Sequence, residues 1–228
     1  MSADFNEPFD STKCASPSIL VTGFGPFSHF DVNPSAVVVE RLRNVVLGAS
    51  HDGCAVRYRI LQVDYADALD VCRNLQADFA VHLGVHPRRA LVNLETSAFA
   101  YGYERCDVAG NTPHLKCADF GKLGPAPYML PAKLRTALDC EKLRDAAVSP
   151  WKTAALPAPL DVQLSHNPGN YLCGFIYYNS LLYNSGRSLF VHIPQFDDNG
   201  VTVDVVTDTV TRIIGGVIKQ AKTHQNAL

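Results

Sequence analysis

Ser18-Ile19-Leu20-Val21-Thr22-Gly23-Phe24-Gly25-Pro26-Phe27, followed shortly by Asn33-Pro34-Ser35, decides how this chain begins to fold. Ser18 to Thr22 is a short apolar run that stops at a glycine, the pattern of a strand buried on both faces. Asn33-Pro34 reads as a helix N-cap with proline at the first helical position. The helix is expected to run to about Val46. A buried strand feeding a helix is the first half of a β-α-β unit.

The same alternation continues outward. Ala55 to Val63 and Phe79 to Val85 read as strands, with a helix between them over Ala66 to Gln76. Ala90 to Leu94 reads as a further strand. Cys106 to Pro127 has no period and several Gly and Pro residues, so it reads as a long irregular loop. Pro131 to Ala147 has helical spacing, and the three prolines of Ser149 to Pro159 suggest a surface excursion. Val162 to Ser165 and Ser188 to Ile193 read as strands flanking a helix over Tyr171 to Tyr183. Val203 to Lys222 closes the chain as an amphipathic helix with Val203, Val206, Val210, Ile213 and Val217 on one stripe. The pattern predicts an α/β fold: a single three-layer α/β/α domain, residues 17–228, around a twisted, mostly parallel (mixed) sheet, with residues 1–16 as a flexible tail. In such sheets ligands bind at the carboxyl ends of strands, which directs attention to the loops after Thr22, Val85, Ser165 and Ile193.

Composition narrows the classes of function. The net charge of −2, with no block of like charges, argues against nucleic acid as a partner. No apolar run reaches the roughly 18 residues of a membrane span. Met1 to Ser16 lacks the apolar segment of a signal peptide. Seven cysteines, an odd number without a CxxC pair, point to free thiols and a reducing, cytoplasmic setting rather than a disulfide framework. His82 and His86 have HxxxH spacing, but on a strand rather than a helix, so neither metal nor cofactor is expected.

Three residues carry chemistry at the strand ends. Cys173 follows a strand and the Pro168-Gly169 turn, and falls in the first turn of the next helix. Free N–H groups there favour an anion and could receive an oxyanion. His192 ends the apolar strand Leu189-Phe190-Val191 ahead of Pro194, a position suited to a general base. Glu95 ends Leu91-Val92-Asn93-Leu94 and could orient an imidazole, the third role in a triad. A buried structural cysteine, a core histidine and a solvated glutamate fit the same pattern, so each residue alone leaves two readings open. Phe24 and Phe27, three apart on a Gly/Pro-shaped loop, could sandwich a flat ring or simply fill the core. The GxG between them lacks the rest of a dinucleotide fingerprint.

Together these segments resemble the pyroglutamyl peptidase I family of cysteine peptidases. The match is carried by four blocks: Ile19 to Phe27 with Asn33-Pro34-Ser35; His82-Leu83-Gly84-Val85 with Val92-Asn93-Leu94-Glu95; Gly169 to Cys173 with Phe175 and Tyr177-Tyr178; and Gly186-Arg187-Ser188 with Phe190 to Pro194. Their order and spacing hold from about residue 18 to 196. The resemblance implies hydrolysis of the peptide bond after an N-terminal pyroglutamyl residue. It places the catalytic triad on Glu95, Cys173 and His192, and the lactam ring between Phe24 and Phe27 with Asn33 beside it. Peptides are the implied substrate, and the protein would act as a monomer or homo-oligomer. The alternative is a catalytically inactive, lactam- or peptide-binding member of the same fold. A nucleoside phosphorylase-like enzyme would need a phosphate-binding first loop, which Phe24-Gly25-Pro26-Phe27 does not supply. Bacterial members follow the glutamate with arginine, where this chain has Thr96. They carry Gln-Ala-Gly-Gly where it has Val85-His86-Pro87-Arg88, so a ring contact from that glutamine is not carried over. Their further arginine near the oxyanion falls on Arg105. Cys140 to Pro159 looks like an insertion relative to animal members.

Overall fold

The structure, a computed structural model, describes residues 17–27, 31–44, 54–86, 90–124, 126–148, 160–197 and 200–225. The expected tail, the 149–159 excursion and the end of the first helix beyond Asn44 lie outside the described residues, as do Cys14, Pro87 and Arg88.

Eight strands and five α-helices appear among the described residues, in the order β1 (Ser18–Phe24), α1 (Pro34–Asn44), β2 (Ala55–Leu61), α2 (Tyr65–Arg73), β3 (Phe79–His86), β4 (Val92–Glu95), β5 (Ser97–Phe99), β6 (Lys133–Arg135), α3 (Cys140–Val148), β7 (Val162–Ser165), α4 (Leu172–Tyr183), β8 (Ser188–Pro194) and α5 (Val203–Gln225). Six strands form one sheet in the order β2-β1-β3-β8-β4-β7. The strands β2, β1, β3 and β8 are mutually parallel. β4 pairs antiparallel with β8 and parallel with β7, so the sheet is mixed.

Burial on both faces explains why the central strands read as unbroken apolar runs. On one face Ile19, Val21, Val81, Leu83 and Val191 pack with α1, α3 and α5. On the other, Leu20, Phe24 and Phe190 pack with α2 and α4. The stripe expected on α5 is real: Val206, Val210, Ile213 and Val217 are fully buried. Nothing on α4 marks a wet face, since it is buried nearly all round from Leu172 to Leu181. No described helix is long and apolar enough to cross a membrane.

One expectation fails. The helix expected from Pro131 begins only at Cys140, and Lys133–Arg135 is a strand paired antiparallel with Ser97–Phe99. Tertiary contacts override the helical spacing there. Thr136 N–H bonds to Thr96 C=O at 3.2 Å, and the Thr136 hydroxyl donates to Ser188 C=O at 2.7 Å. Asp139 then caps the shorter helix, accepting Lys142 N–H at 3.1 Å.

The reversed direction of β4 and β7 also changes the strand-end reading. Thr22, Val85 and Ile193 lie on parallel strands and point to one sheet edge. Ser165 runs the other way, and residues 166–171 bring the chain back to Cys173.

A buried polar chain ties the layers together. Thr22 Oγ1 meets His82 Nδ1 at 2.8 Å, His82 Nε2 meets Ser180 Oγ at 2.8 Å, and Ser180 Oγ meets Ser188 Oγ at 2.7 Å. The chain links β1, β3, α4 and β8, and it occupies both nitrogens of His82. Burial holds the His82 imidazole neutral, with its pKa lowered to about 3. The unfolded chain binds a proton at His82 below about pH 6.5 while the folded chain does not, so stability falls as pH drops from 6.5 toward 3. Chemical denaturation is expected to show a loss of roughly 2 kcal/mol between pH 6.5 and 5 from this residue. In His82→Leu that acid slope should flatten while stability at pH 7 drops by about 1–3 kcal/mol from the stranded hydroxyls. An unchanged acid slope in the variant would contradict the assignment.

Candidate active site

Cys173 is the second residue of α4, and the helix begins with no side-chain cap at Tyr171. The first intrahelical bond is Phe175 N–H to Tyr171 C=O at 3.0 Å. The N–H groups of Leu172, Cys173 and Gly174 precede it and present the positive end of the helix dipole.

Two glycines make room for the sulfur. A Cβ on Gly84 would lie 2.6 Å from the Phe190 ring and 3.1 Å from Cys173 Sγ. A Cβ on Gly174 would collide with the carbonyl oxygen of Gly169. The bare backbone of β3 therefore lets the start of α4 settle against the sheet beside His192, which pairs with Gly84 in register.

His192 comes from the carboxyl end of β8, and its imidazole lies close enough to the Cys173 thiol to interact with it. On its other side His192 Nδ1 meets Glu95 Oε1 at 2.8 Å. The antiparallel register sets Asn93 opposite His192 and Glu95 opposite Phe190, which makes Glu95 and His192 diagonal neighbours on one face. Both are buried, with Glu95 1% and His192 6% exposed. Burial by itself lowers the imidazole pKa, but the hydrogen bonds and charges of Cys173 and Glu95 outweigh it and raise His192 to about 9. The Glu95 main chain is held in turn, its carbonyl accepting the Tyr177 hydroxyl at 2.6 Å. Imidazole and carboxylate thus form a hydrogen-bonded pair beside the sulfur, with the imidazole protonated at neutral pH.

Beside the sulfur is a narrow slot of about 30 Å³ lined by Phe24, Phe27, Asn33, Val63, Gly84, Val85, Tyr171, Leu172 and Cys173. Asn33 both caps α1, through Oδ1 to Ser35 N–H at 3.0 Å, and fixes the aromatic loop, donating from Nδ2 to Gly25 C=O at 3.0 Å. Phe24, Phe27, Asn33 and Cys173 thus line one slot, with His192 beside the sulfur and Glu95 beyond it. A far larger cavity of about 670 Å³, between α2 and residues 107–121, contains none of them. Size misleads there, because its carboxylates are already engaged: Asp107 accepts Ala109 and Asn111 N–H, Asp64 caps α2, and Asp119 pairs with Arg73 at 2.9 Å.

Tyr171 and Val63 are slot residues that sequence reasoning missed. Val63 follows β2, so the rule that ligands collect at strand ends could have found it. Tyr171 stood inside the segment leading to Cys173 but carried no signal of its own. The Arg105 guanidinium carbon stacks 4.3 Å from the centre of the Tyr171 ring, and Tyr65 meets that ring edge-on at 6.1 Å. These contacts hold Tyr171 as a wall of the slot. Thr96 bonds His166 Nδ1 at 2.5 Å and Ser165 C=O at 3.1 Å, outside the slot. His86 stands edge-on to His192, with ring centroids 5.8 Å apart. Among the described residues no cluster of three or more His, Cys, Asp or Glu side chains is arranged to hold a metal ion.

Comparison with known proteins agrees with this geometry. The family model described as "Putative pyroglutamyl peptidase PgaPase_1" matches residues 3–197. The chain is 29% identical over 181 residues to human pyroglutamyl-peptidase 1, covering 78% of each protein. It is 25% identical over 190 residues to the pyrrolidone-carboxylate peptidase of Pyrococcus furiosus, covering 79% of this chain and 82% of that one. Among solved structures, a mutant pyrrolidone carboxyl peptidase from Pyrococcus furiosus superimposes with a TM-score of 0.71 at 20% identity, over 89% of this chain and 99% of that one. Pyroglutamyl peptidase I of Bacillus amyloliquefaciens gives 0.69 at 21% identity, over 92% and 98%. These structures share the fold.

The close approach at Gly84 is testable without a substrate. Gly84→Ala should push Phe190 and Cys173 apart and cost about 1–3 kcal/mol of stability. It should also slow iodoacetamide alkylation of Cys173, followed by mass spectrometry of the labelled peptide. Wild-type stability together with a wild-type labelling rate would show that the space is not needed.

Proposed function

Because the chain belongs to the pyroglutamyl peptidase family, we propose that it is a cysteine peptidase that hydrolyses the peptide bond after an N-terminal pyroglutamyl residue, with Cys173 as nucleophile. The observation that supports this reading is the buried His192–Glu95 hydrogen bond beside Cys173, whose sulfur lines an aromatic slot.

Pyroglutamate has no free amine, so the charged handle of an ordinary peptide N-terminus is missing. An apolar slot with a few polar groups answers that recognition problem. Phe24 and Phe27 hold the lactam ring, with Asn33 fixing their loop. The slot has room for only two or three water-sized spheres, so ring entry moves Phe27 outward against the fixed Tyr171 wall. His192 holds the proton of the Cys173 thiol, and the thiolate attacks the carbonyl that follows the lactam. The N–H groups at the start of α4 receive the oxyanion. His192 then protonates the departing amine, leaving an acyl-enzyme thioester. Water, deprotonated by His192, attacks that thioester and releases free pyroglutamate and the thiol. Glu95 keeps the imidazole in the tautomer and orientation this requires and stabilises its charge. The same reading takes residues 17–228 as one peptidase domain. The six described cysteines are all free thiols, which supports a reducing, cytoplasmic setting.

Two variants test the assignment. Cys173→Ala is expected to lower release of a fluorophore from a pyroglutamyl-amide substrate by at least about a thousandfold, with an unchanged melting temperature. Substantial residual turnover would refute the nucleophile, and a wild-type protein that binds such substrates without cleaving them would favour an inactive binding protein. Glu95→Gln should lower kcat/KM by roughly 10³–10⁴-fold. The alkaline limb of the kcat/KM profile, expected near the His192 value of about 9, should move down toward the ordinary imidazole range in that variant. An alkaline limb that stays in place would remove Glu95 from the triad.

A further inference from the structure

Where the rest of the substrate goes follows from what surrounds Cys173. The slot beside the sulfur, at about 30 Å³, has no room for a residue beyond the lactam ring. A second cavity of about 390 Å³ is lined by Phe99, Tyr101, Asn167, Gly169 and Asn170. Slot and cavity share one stretch of chain: Tyr171, Leu172 and Cys173 line the first, and Asn167, Gly169 and Asn170 the second. Gly169 packs its carbonyl directly on Gly174, so this cavity borders the turn that carries the sulfur. Asn170 and Cys173 are three positions apart, a span of at most about 10 Å. A peptide whose scissile carbonyl lies on Cys173 reaches that far within two or three residues, at roughly 3.3 Å each.

The lining indicates what enters. Residues 98–101 alternate, with Ala98 and Ala100 fully buried and Phe99 and Tyr101 38% and 43% exposed. Two half-exposed aromatic rings two residues apart stand on one face of the chain, across the cavity from the Asn167–Asn170 loop. The Lys133 ammonium sits 5.0 Å from the centre of the Phe99 ring. No charged side chain lines the cavity. Asn167 Oδ1 accepts Gly169 N–H at 3.0 Å, and its amide NH₂, which bonds to none of the described residues, can donate to a peptide carbonyl. The 670 Å³ cavity is a poor rival, because the Tyr65–Tyr171 pair walls it off from the slot.

We propose that this cavity is the binding site for the residue following pyroglutamate, and that its Phe99–Tyr101 face selects substrates with a large apolar or aromatic side chain there. The proposal rests on Cys173 being the nucleophile of a pyroglutamyl peptidase.

Steady-state kcat/KM for pyroglutamyl-phenylalanine, -leucine, -glycine and -aspartate amides tests it. Wild type should prefer phenylalanine over glycine by about tenfold, the worth of partly burying one aromatic side chain, with aspartate no better than glycine. In Phe99→Ala/Tyr101→Ala that ratio should fall toward one. Asn170→Trp, which fills the cavity from an exposed loop position, should erase the preference by a different route, and melting curves establish that each variant is folded. Equal rates for the four substrates in wild type would overturn the proposal, as would a preference that survives in the folded variants. Failure to cleave any of the four would instead overturn the peptidase reading beneath it.

Discussion

The antiparallel register of β4 on β8 sets Asn93 opposite His192 and Glu95 opposite Phe190, and the arrangement of the site depends on it. A slip of one residue would turn Glu95 to the other face of the sheet and leave His192 without its carboxylate. The pair is buried, so the register also has an energetic cost. Desolvating a carboxylate and an imidazolium together is often no better for stability than packing apolar side chains in their place. Glu95 Oε2 adds to that cost, being buried with no hydrogen-bond partner among the described residues. So expensive an arrangement beside a slot fits the catalytic role proposed above better than a packing role.

Around that register the fold brings the reacting sulfur in from the opposite face of chain reversal. β7 ends level with the middle of β8, and residues 166–171 return the chain so that α4 starts over Gly84 and His192. α4 can be fixed there because it is buried nearly all round and is tied to the sheet through Ser180, His82 and Thr22. A neutral imidazole in that chain and a protonated one at His192 stand on the same sheet. The difference lies in their partners: hydroxyls surround His82, whereas a carboxylate and a thiol flank His192.

On the proposed reading, the two cavities along the Cys173 loop divide the work of recognition. The inner slot is aromatic, narrow and closed, suited to a single small ring whose identity does not vary. The outer one is wider and lined by half-exposed aromatics, suited to a side chain that differs between substrates. Binding energy from that outer contact can be used to hold the scissile carbonyl against the sulfur.

The sequence by itself determined the alternation of strands and helices, because strands buried on both faces must be apolar throughout and α5 must be striped. It also determined the residues able to do chemistry. Cys173 after a turn, His192 before a proline and Glu95 after an apolar run are local patterns, legible without neighbours, and Asn33-Pro34 marks its own helix start. Tertiary structure alone decided that these residues meet. No local pattern states that β4 runs against β8, that Lys133–Arg135 leaves its helical spacing to pair with Ser97–Phe99, or that Tyr171 is pinned as a wall by Arg105 and Tyr65. Strand direction and register are set by pairings between residues about a hundred positions apart. A propensity or a spacing, which sees only a residue's own turn or strand, carries no trace of them.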